Sequence, residues 1–436
     1  MNYDEAMNYI TNTAKFGSNL GLTRTEKILE LLGDPHKKLK CIHIAGTNGK
    51  GSITAMLNGI LMEAGYKTGM YTSPFLEEFE ERMQINGKNI PKSRLSEVVT
   101  EVSLAVDEVL TLGYDHPTEF EIITCAMFLY FYEQQVDYAI IEVGLGGRLD
   151  STNVITPILS IIGSISYDHM QILGDTLGKI AYEKSGIIKD NVPLVLYPQK
   201  DESFQVIKEK SIEKHAKLIL VPENSVSFIK VTNSPEGATL QYILIETKNN
   251  KYNISLSLLG KHQLLNCATV IYAVEQLISM GLAIKNEHIS SALSKVRWPG
   301  RLEIMGKNPM IVIDGAHNID GIKNLCDSID TYFSYKKLVL ILGILADKQV
   351  KDMVETIVPK AEKVIAITPH SERAELAEEL AEIIKLYNTK VETFKDYEEA
   401  LKAGISYCDT GDLLLISGSL YMIGDMRKII RARNRK

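Results

Sequence analysis

Apolar and polar positions follow two rhythms along this chain, and the switch between them recurs. Short branched runs such as "KCIHIAG", "VDYAIIEV" and "PILSIIG" are separated by stretches whose apolar residues fall three and four positions apart. The first pattern predicts buried strands and the second predicts amphipathic helices. Their alternation predicts a largely parallel sheet. Past Ser52, the residues Ile53, Met56, Leu57, Ile60 and Leu61 mark one helical face, with a stop expected near Gly65. "YKTGMYTSPF" predicts a strand ending at Thr72-Ser73-Pro74. "VDYAIIEV" predicts a strand with Glu142 at its end, and "PILSIIGSISYDHM" one ending at Asp168-His169. In "DTLGKIAYEKSGIIKD", Ile180, Lys184 and Ile187 have helical spacing, with Asp175 or Thr176 as N-cap.

From about residue 190 to 260 the pattern changes. "VPLVLYP", "KLILVP", "VSFIKV", "ATLQYILIE" and "YNISLSLLG" are short β-type runs between turn residues, which predicts a small antiparallel sheet. "HQLLNCATVIYAVEQLISMG" then reads as a helix with Asn266 near its start. Pro299 and Gly300 in "VRWPGR" predict a linker at residues 297–301. Beyond it the first rhythm restarts with "MIVIDGAHN", "KLVLILGIL", "KVIAIT", "VETF" and "DLLLIS". The expected fold is therefore α/β. An N-terminal P-loop-type nucleotide-binding domain, residues 1–296, has a mostly parallel sheet and the small antiparallel one. A C-terminal Rossmann-like α/β domain covers residues 302–436.

Composition narrows the class without naming an activity. The 436 residues are 45% hydrophobic and 24% charged, enough for sizeable cores. Net charge is −7, and no Lys/Arg block with interleaved aromatics appears, so no nucleic-acid partner is expected. The basic tail "RKIIRARNRK" reads as a solvated helix end. No apolar run has transmembrane length, and "MNYDEAMNYI" lacks the features of a secretory signal, so no membrane partner is expected. Cys41, Cys125, Cys267, Cys326 and Cys408 are scattered without C-x-x-C spacing, as expected for packed thiols in a reducing cytoplasm.

Candidate chemistry begins at "IHIAGTNGKGSITAML". The common phosphate loop is G-x-x-x-x-G-K-[ST], and here the spacing is shorter. Gly46, Thr47, Asn48, Gly49, Lys50, Gly51 and Ser52 lie where a strand gives way to a helix. Backbone N–H groups and the helix N-terminus there favour an anion, and Lys50 adds positive charge. The alternative is a plain Gly/Asn turn. Three glycines and a lysine in that position favour the phosphate site. Ser73, Glu142 and His169 sit at other expected strand ends, where ligands gather in open α/β sheets. A buried carboxylate such as Glu142 needs a partner. Together the three side chains could hold Mg²⁺ or Mn²⁺. Spacing alone makes Lys184 a solvated helix lysine.

The runs "GTNGKGS", "TSP", "EVGLGGRLD", "DH…LGDTLGKIAYEKSGIIK", "GKHQLLN", "PGR" and "DGAHN" occur in one order across almost the whole chain. In this the chain resembles the folylpolyglutamate synthase/dihydrofolate synthase family of the Mur ligase superfamily. The resemblance implies an ATP-dependent ligase that adds L-glutamate to reduced folates through an acyl phosphate, with dihydropteroate as a second acceptor left open. It implies that Gly46–Ser52 hold ATP phosphates, that Ser73, Glu142 and His169 bind Mg²⁺, and that Lys184 is carbamylated beside a second Mg²⁺. It implies ATP contacts from Asn266, Arg301, Asp314 and His317, with Lys50, Lys184, His169, Arg301 and His317 taking part in catalysis. Small-molecule substrates, a monomer and a cytoplasmic location are expected. Phe75, Ser151, Ser185 and Ile319 depart from common family residues, and Phe75 bears on acceptor preference. "GSNLGLTRTEK" and "SPFLEEFEERMQING" are candidates for the folate side. A muramyl-peptide ligase and a non-ligating nucleotide switch remain as alternatives.

Overall fold

The computed structural model describes residues 1–13, 21–234 and 238–434. Of "GSNLGLTRTEK", residues 17–20 lie outside the described residues, as do the last two of the basic tail. The chain forms two compact units. One comprises Met1–Ser227, Leu244–Ser255 and Leu265–Val296; the other comprises Phe228–Ile243, Leu256–Leu264 and Arg297–Lys436. The second unit thus draws in two stretches from the region that the sequence assigns to the N-terminal domain.

The first unit is built on eight strands: β1 (Cys41–Ala45), β2 (Thr68–Tyr71), β3 (Met83–Ile85), β4 (Lys88–Asn89), β5 (Tyr138–Glu142), β6 (Leu159–Ile162), β7 (Leu194–Leu196) and β8 (Leu218–Leu220). Their order is β4-β3-β2-β5-β1-β6-β7-β8. The pairs from β2 to β8 are parallel, and β3 and β4 add an antiparallel edge. β1, β5 and β6 are buried throughout, which explains their unbroken apolar runs.

Two expectations are corrected here. "VPLVLYP" and "KLILVP" do not belong to the small sheet. They are β7 and β8, paired parallel beside β6, because the helix Asp201–Glu213 between them makes the crossover that parallel neighbours require. The small sheet is β9 (Val226–Asn233), β10 (Thr239–Glu246) and β11 (Lys251–Leu256), in the order β11-β10-β9. The second correction concerns β6, which ends at Ile162 rather than at Asp168-His169. Past Gly163 the backbone leaves the sheet, and Ser164 bridges to Asn48.

The second unit carries a six-stranded sheet: β12 (Glu303–Lys307), β13 (Met310–Asp314), β14 (Leu338–Leu342), β15 (Lys363–Ile367), β16 (Val391–Phe394) and β17 (Leu413–Ser417). The order is β12-β13-β17-β14-β15-β16, parallel except for the β12–β13 pair. Helices alternate with β13 to β17, giving the expected C-terminal α/β fold. Among the described residues, no helix is long and apolar enough to cross a membrane.

Candidate active site

Strand register places the chemistry. Tyr71 is level with Ile141, Ile44 with Glu142, and Ala45 with Ile162. Four adjacent parallel strands therefore end together: Glu142 is the last residue of β5, Gly46 follows β1 directly, and Ser73 lies just past β2. This is the carboxyl edge where open α/β sheets gather ligands.

The loop after β1 is held from two sides. Thr47 donates its N–H to the Ser164 carbonyl (2.7 Å), and its hydroxyl reaches the Ser166 carbonyl (3.1 Å). Asn48 Nδ2 donates to the Ser166 hydroxyl (3.2 Å). These contacts are why the chain departs from β6. Gly49 has φ +84°, a left-handed backbone that disfavours other residues, and an added Cβ would lie 2.6 Å from Asn266 Oδ1. The helix Lys50–Glu63 starts immediately afterwards, so Lys50, Gly51 and Ser52 form its first turn. Asn266 lies in the second turn of the helix Lys261–Ser279, with its carboxamide against the loop.

Two lysines converge on one carbonyl. Lys50 Nζ donates to the Gly46 oxygen (3.1 Å) and the Thr47 oxygen (3.3 Å), and Lys184 Nζ donates to the same Gly46 oxygen (2.9 Å). Lys184 is 4% exposed, so it is not the solvated lysine that spacing alone predicts. Burial, followed by repulsion from Lys50, pushes its pKa down to about 7, while Asp168 and Asp150 pull it upward. Glu142 Oε1 lies 4.0 Å from Lys50 Nζ and is likewise buried. Two amines held this close create a strong preference for an anion beside them.

Lys184 is positioned by close backbone packing. Thr176, not Asp175, caps the helix Leu177–Ser185 by accepting from Lys179 N–H (3.2 Å). Ile187 lies past the helix end. A Cβ on Gly147 would meet the Glu183 and Lys184 carbonyl oxygens at 2.9 Å, and one on Gly186 would meet Arg148 Cα at 2.3 Å. The glycines of "EVGLGGRLD" therefore let the turn after β5 press against this helix. His169 has φ +49°, is about a third exposed and borders Asp168, with Nε2 to Oδ2 at 3.9 Å.

Within the second unit, Asp314 ends β13. Its carboxylate accepts from Leu302 N–H and Ala316 N–H, both at 2.9 Å, and its pKa is raised by burial against the opposing pull of Arg301. A Cβ on Gly315 would lie 2.5 Å from Arg301 Nη1, which locates that guanidinium beside the turn. His317 Nδ1 is 2.8 Å from the Gly315 oxygen. Arg301 thus lies beside the turn that carries Asp314 and His317.

The Mur ligase middle domain profile matches residues 44–274, and the Mur ligase glutamate ligase domain profile matches residues 300–420. The Bacillus subtilis dihydrofolate synthase/folylpolyglutamate synthase is 37% identical over 432 residues, spanning 98% of this chain and 99% of that protein. The chain belongs to the dihydrofolate synthase/folylpolyglutamate synthase family. A folylpolyglutamate synthase from Lacticaseibacillus casei is 33% identical, with 99% of each chain covered. The structure of the Mycobacterium tuberculosis folylpolyglutamate synthase complexed with ADP superposes with a TM-score of 0.90 at 27% identity, covering 98% of this chain and 99% of that one.

As a member of the dihydrofolate synthase/folylpolyglutamate synthase family, the chain is an ATP-dependent ligase. Among the described residues, no group of three or more His, Cys, Asp or Glu side chains is arranged to hold a metal. The candidate set of the sequence contains two such side chains, Glu142 and His169, in addition to the Ser73 hydroxyl. One buried carboxylate with few protein donors suits Mg²⁺, which keeps waters and takes phosphate oxygens. Phe75 lies beyond the cis Ser73–Pro74 bond, 5.4 Å from Arg82 and 5.8 Å from the Phe79 ring.

The sequence reading passed over Asp150 and Ser166. Asp150 is buried and accepts from Leu145 N–H (2.8 Å) and Thr152 N–H (3.0 Å), fixing the glycine turn. Its N-cap character was visible in "LDSTN". Ser166, which secures Thr47 and Asn48, had no comparable signal.

Proposed function

We propose that this chain joins L-glutamate to the γ-carboxylate of a reduced folate, with dihydropteroate as a second acceptor. The observation that carries this reading is the meeting of Lys50 and Lys184 at the Gly46 carbonyl, beside buried Glu142. It fits a site that receives a polyphosphate. Gly46–Ser52 and Lys50 hold the ATP phosphates, and Asn266, Arg301, Asp314 and His317 provide further ATP contacts. Residues 1–296 carry the ATP-binding half, residues 297–301 the linker and residues 302–436 the C-terminal domain.

The folate carboxylate oxygen attacks the γ-phosphorus, and ADP leaves. The glutamate amine then attacks the acyl carbon, loses its proton, and inorganic phosphate departs. Lys50 keeps the γ-phosphate in line with the attacking oxygen. Ser73, Glu142 and His169 would hold Mg²⁺, which would supply positive charge beside the transferring phosphoryl group. A carbamate on Lys184 would turn its amine into an anionic group able to hold a second Mg²⁺. Its amine is suited to that modification because carbamates form on the uncharged amine, which burial favours here. The five thiols are free, and four are buried, which suits a reducing cytoplasm.

Acceptor identity is tested by phosphate release from purified protein with MgATP and L-glutamate. Release is expected with a reduced folate and also with dihydropteroate, as for a bifunctional synthase. Release with the folate alone restricts the chain to polyglutamylation. Release with neither, in folded protein that binds ATP, contradicts the proposal.

A further inference from the structure

On the solvent side of the helix Leu177–Ser185 lies a pocket of about 220 Å³ lined by Arg148, Tyr182, Lys189, Lys210 and Lys214, with Gly186 and Ile188 completing the wall. Four of these side chains are cationic. They come from three places: the turn after β5, the segment after the helix Leu177–Ser185, and the helix Asp201–Glu213 with its cap residue Lys214. Tyr182 and Lys184 are two positions apart on one helix, so they face nearly opposite ways. The pocket is therefore separate from the loop where Lys184 meets Gly46.

The ordinary explanations for such a cluster do not account for it. Cations near a helix C-terminus often cap its free carbonyls. Here those carbonyls are already served: Glu183 O by Arg148 N–H (2.7 Å), Ser185 O by Ile188 N–H (3.0 Å) and Gly186 O by Asn153 Nδ2 (3.0 Å). Surface ion pairs do not neutralise the wall either. Three of the four cations are ion-paired, Arg148 with Glu183 (2.9 Å), Lys210 with Glu213 (2.6 Å) and Lys214 with Asp190 (3.2 Å), but none of these carboxylates lines the pocket. Such exposed pairs are weak and readily exchanged.

Lys189 is the strongest indication. Its Nζ donates to the Asn153 backbone oxygen (3.0 Å). Burial and then the charge of Lys214 lower its pKa, against the upward pull of Glu26 and Asp190. Arg148 is held by Glu183 (2.9 Å) with its guanidinium carbon 5.6 Å from the Tyr182 ring centroid, leaving a fixed planar donor at the rim. Gly186 lets the end of the helix Leu177–Ser185 lie against the Arg148 backbone, which fixes the arginine at the pocket wall.

We propose that this pocket is an anion-binding site for a ligand carrying two or more oxyanion groups in series, phosphate or carboxylate. Its volume is about seven times the roughly 30 Å³ share of one liquid water, too large for a single halide. A diphosphate fits this chemistry, and so does a short γ-linked glutamate chain. The carboxylate version rests on the product proposed above, whereas the phosphate version does not.

The test is titration calorimetry on the full chain with inorganic pyrophosphate and, separately, with tri-γ-glutamate. Three proteins are compared: the unaltered chain, a Lys210→Gln/Lys214→Gln double variant and Lys50→Ala. Lys210 and Lys214 are part-buried at the end of the helix Asp201–Glu213, and thermal unfolding checks that their replacement leaves the fold intact. At least one probe is expected to bind at a site that Lys50→Ala leaves intact and that the double variant weakens about tenfold; pyrophosphate also occupies the phosphate loop, a second site that Lys50→Ala weakens and the double variant keeps. The more tightly bound probe identifies the source of the anion. Absence of binding by either probe overturns the proposal. So does equal binding by the double variant, or loss only in Lys50→Ala, which would put the probe at the loop and disprove the pocket without touching the ligase reading.

Discussion

Replacing Lys50 by alanine is expected to reduce ATP-dependent ligation by about a thousandfold, with little change in thermal stability. The stability half follows from the contacts. Lys50 opens a helix, where alanine is at least as favourable. Its amine touches only two loop carbonyls and stands 4.0 Å from Glu142, and the Gly46 oxygen keeps Lys184 as a donor. The activity half has two parts. The phosphates lose a charge held at the point of transfer. Lys184 also loses the neighbour that helps keep its amine uncharged, since repulsion from Lys50 is the second cause of its lowered pKa. Steady-state ligation beside thermal unfolding checks this. Near-normal turnover in a folded variant would remove the loop from the mechanism.

Lys184→Ala is expected to lose about a hundredfold or more in activity and to recover part of it in millimolar acetate or formate. If Lys184 acts as a carbamate, a small carboxylate can replace the anionic group that alanine removes. The same account predicts that the unaltered enzyme slows when bicarbonate and CO₂ are stripped from the buffer. The pH dependence has a definite sign. Lys184 has a folded-state pKa near 7, below the ordinary lysine value of 10.5, so its neutral amine is lost as pH falls through 7. Carbamate formation, and activity with it, should fall on that acid side. Full activity of Lys184→Ala, or no response to bicarbonate removal, would mean that the lysine acts as a buried cation on Gly46.

Much of this arrangement was legible in the sequence because the informative signals are local. "IHIAGTNGKGS" joins an apolar strand, glycines and a helical period within a few residues, and the structure places its loop at that junction. Glu142 stood out as a carboxylate ending an apolar run, and it is buried at the end of β5. Errors arose where the deciding contact is distant. "GSIS" continues an alternating pattern, but its backbone is drawn off to Thr47 and Asn48. β7 and β8 look like antiparallel strands until the intervening helix is recognised as a crossover. Helical spacing gave Lys184 a solvated face because nothing local shows that the turn after β5 packs over it. β12 was missed since its run contains Gly306 and a register shift. The basic pocket joins Arg148, Lys189 and Lys214, which no periodicity connects.

The central claim is that an acceptor carboxylate is activated as an acyl phosphate at the Gly46–Ser52 loop. The most direct measurement uses a reduced folate labelled with ¹⁸O in its γ-carboxylate, turned over with MgATP and L-glutamate, with mass analysis of the released phosphate. One labelled oxygen per phosphate is predicted, because the attacking carboxylate oxygen leaves with phosphorus when the amine displaces it. Amide product accompanied by unlabelled phosphate would contradict the acyl phosphate and the role assigned to the loop.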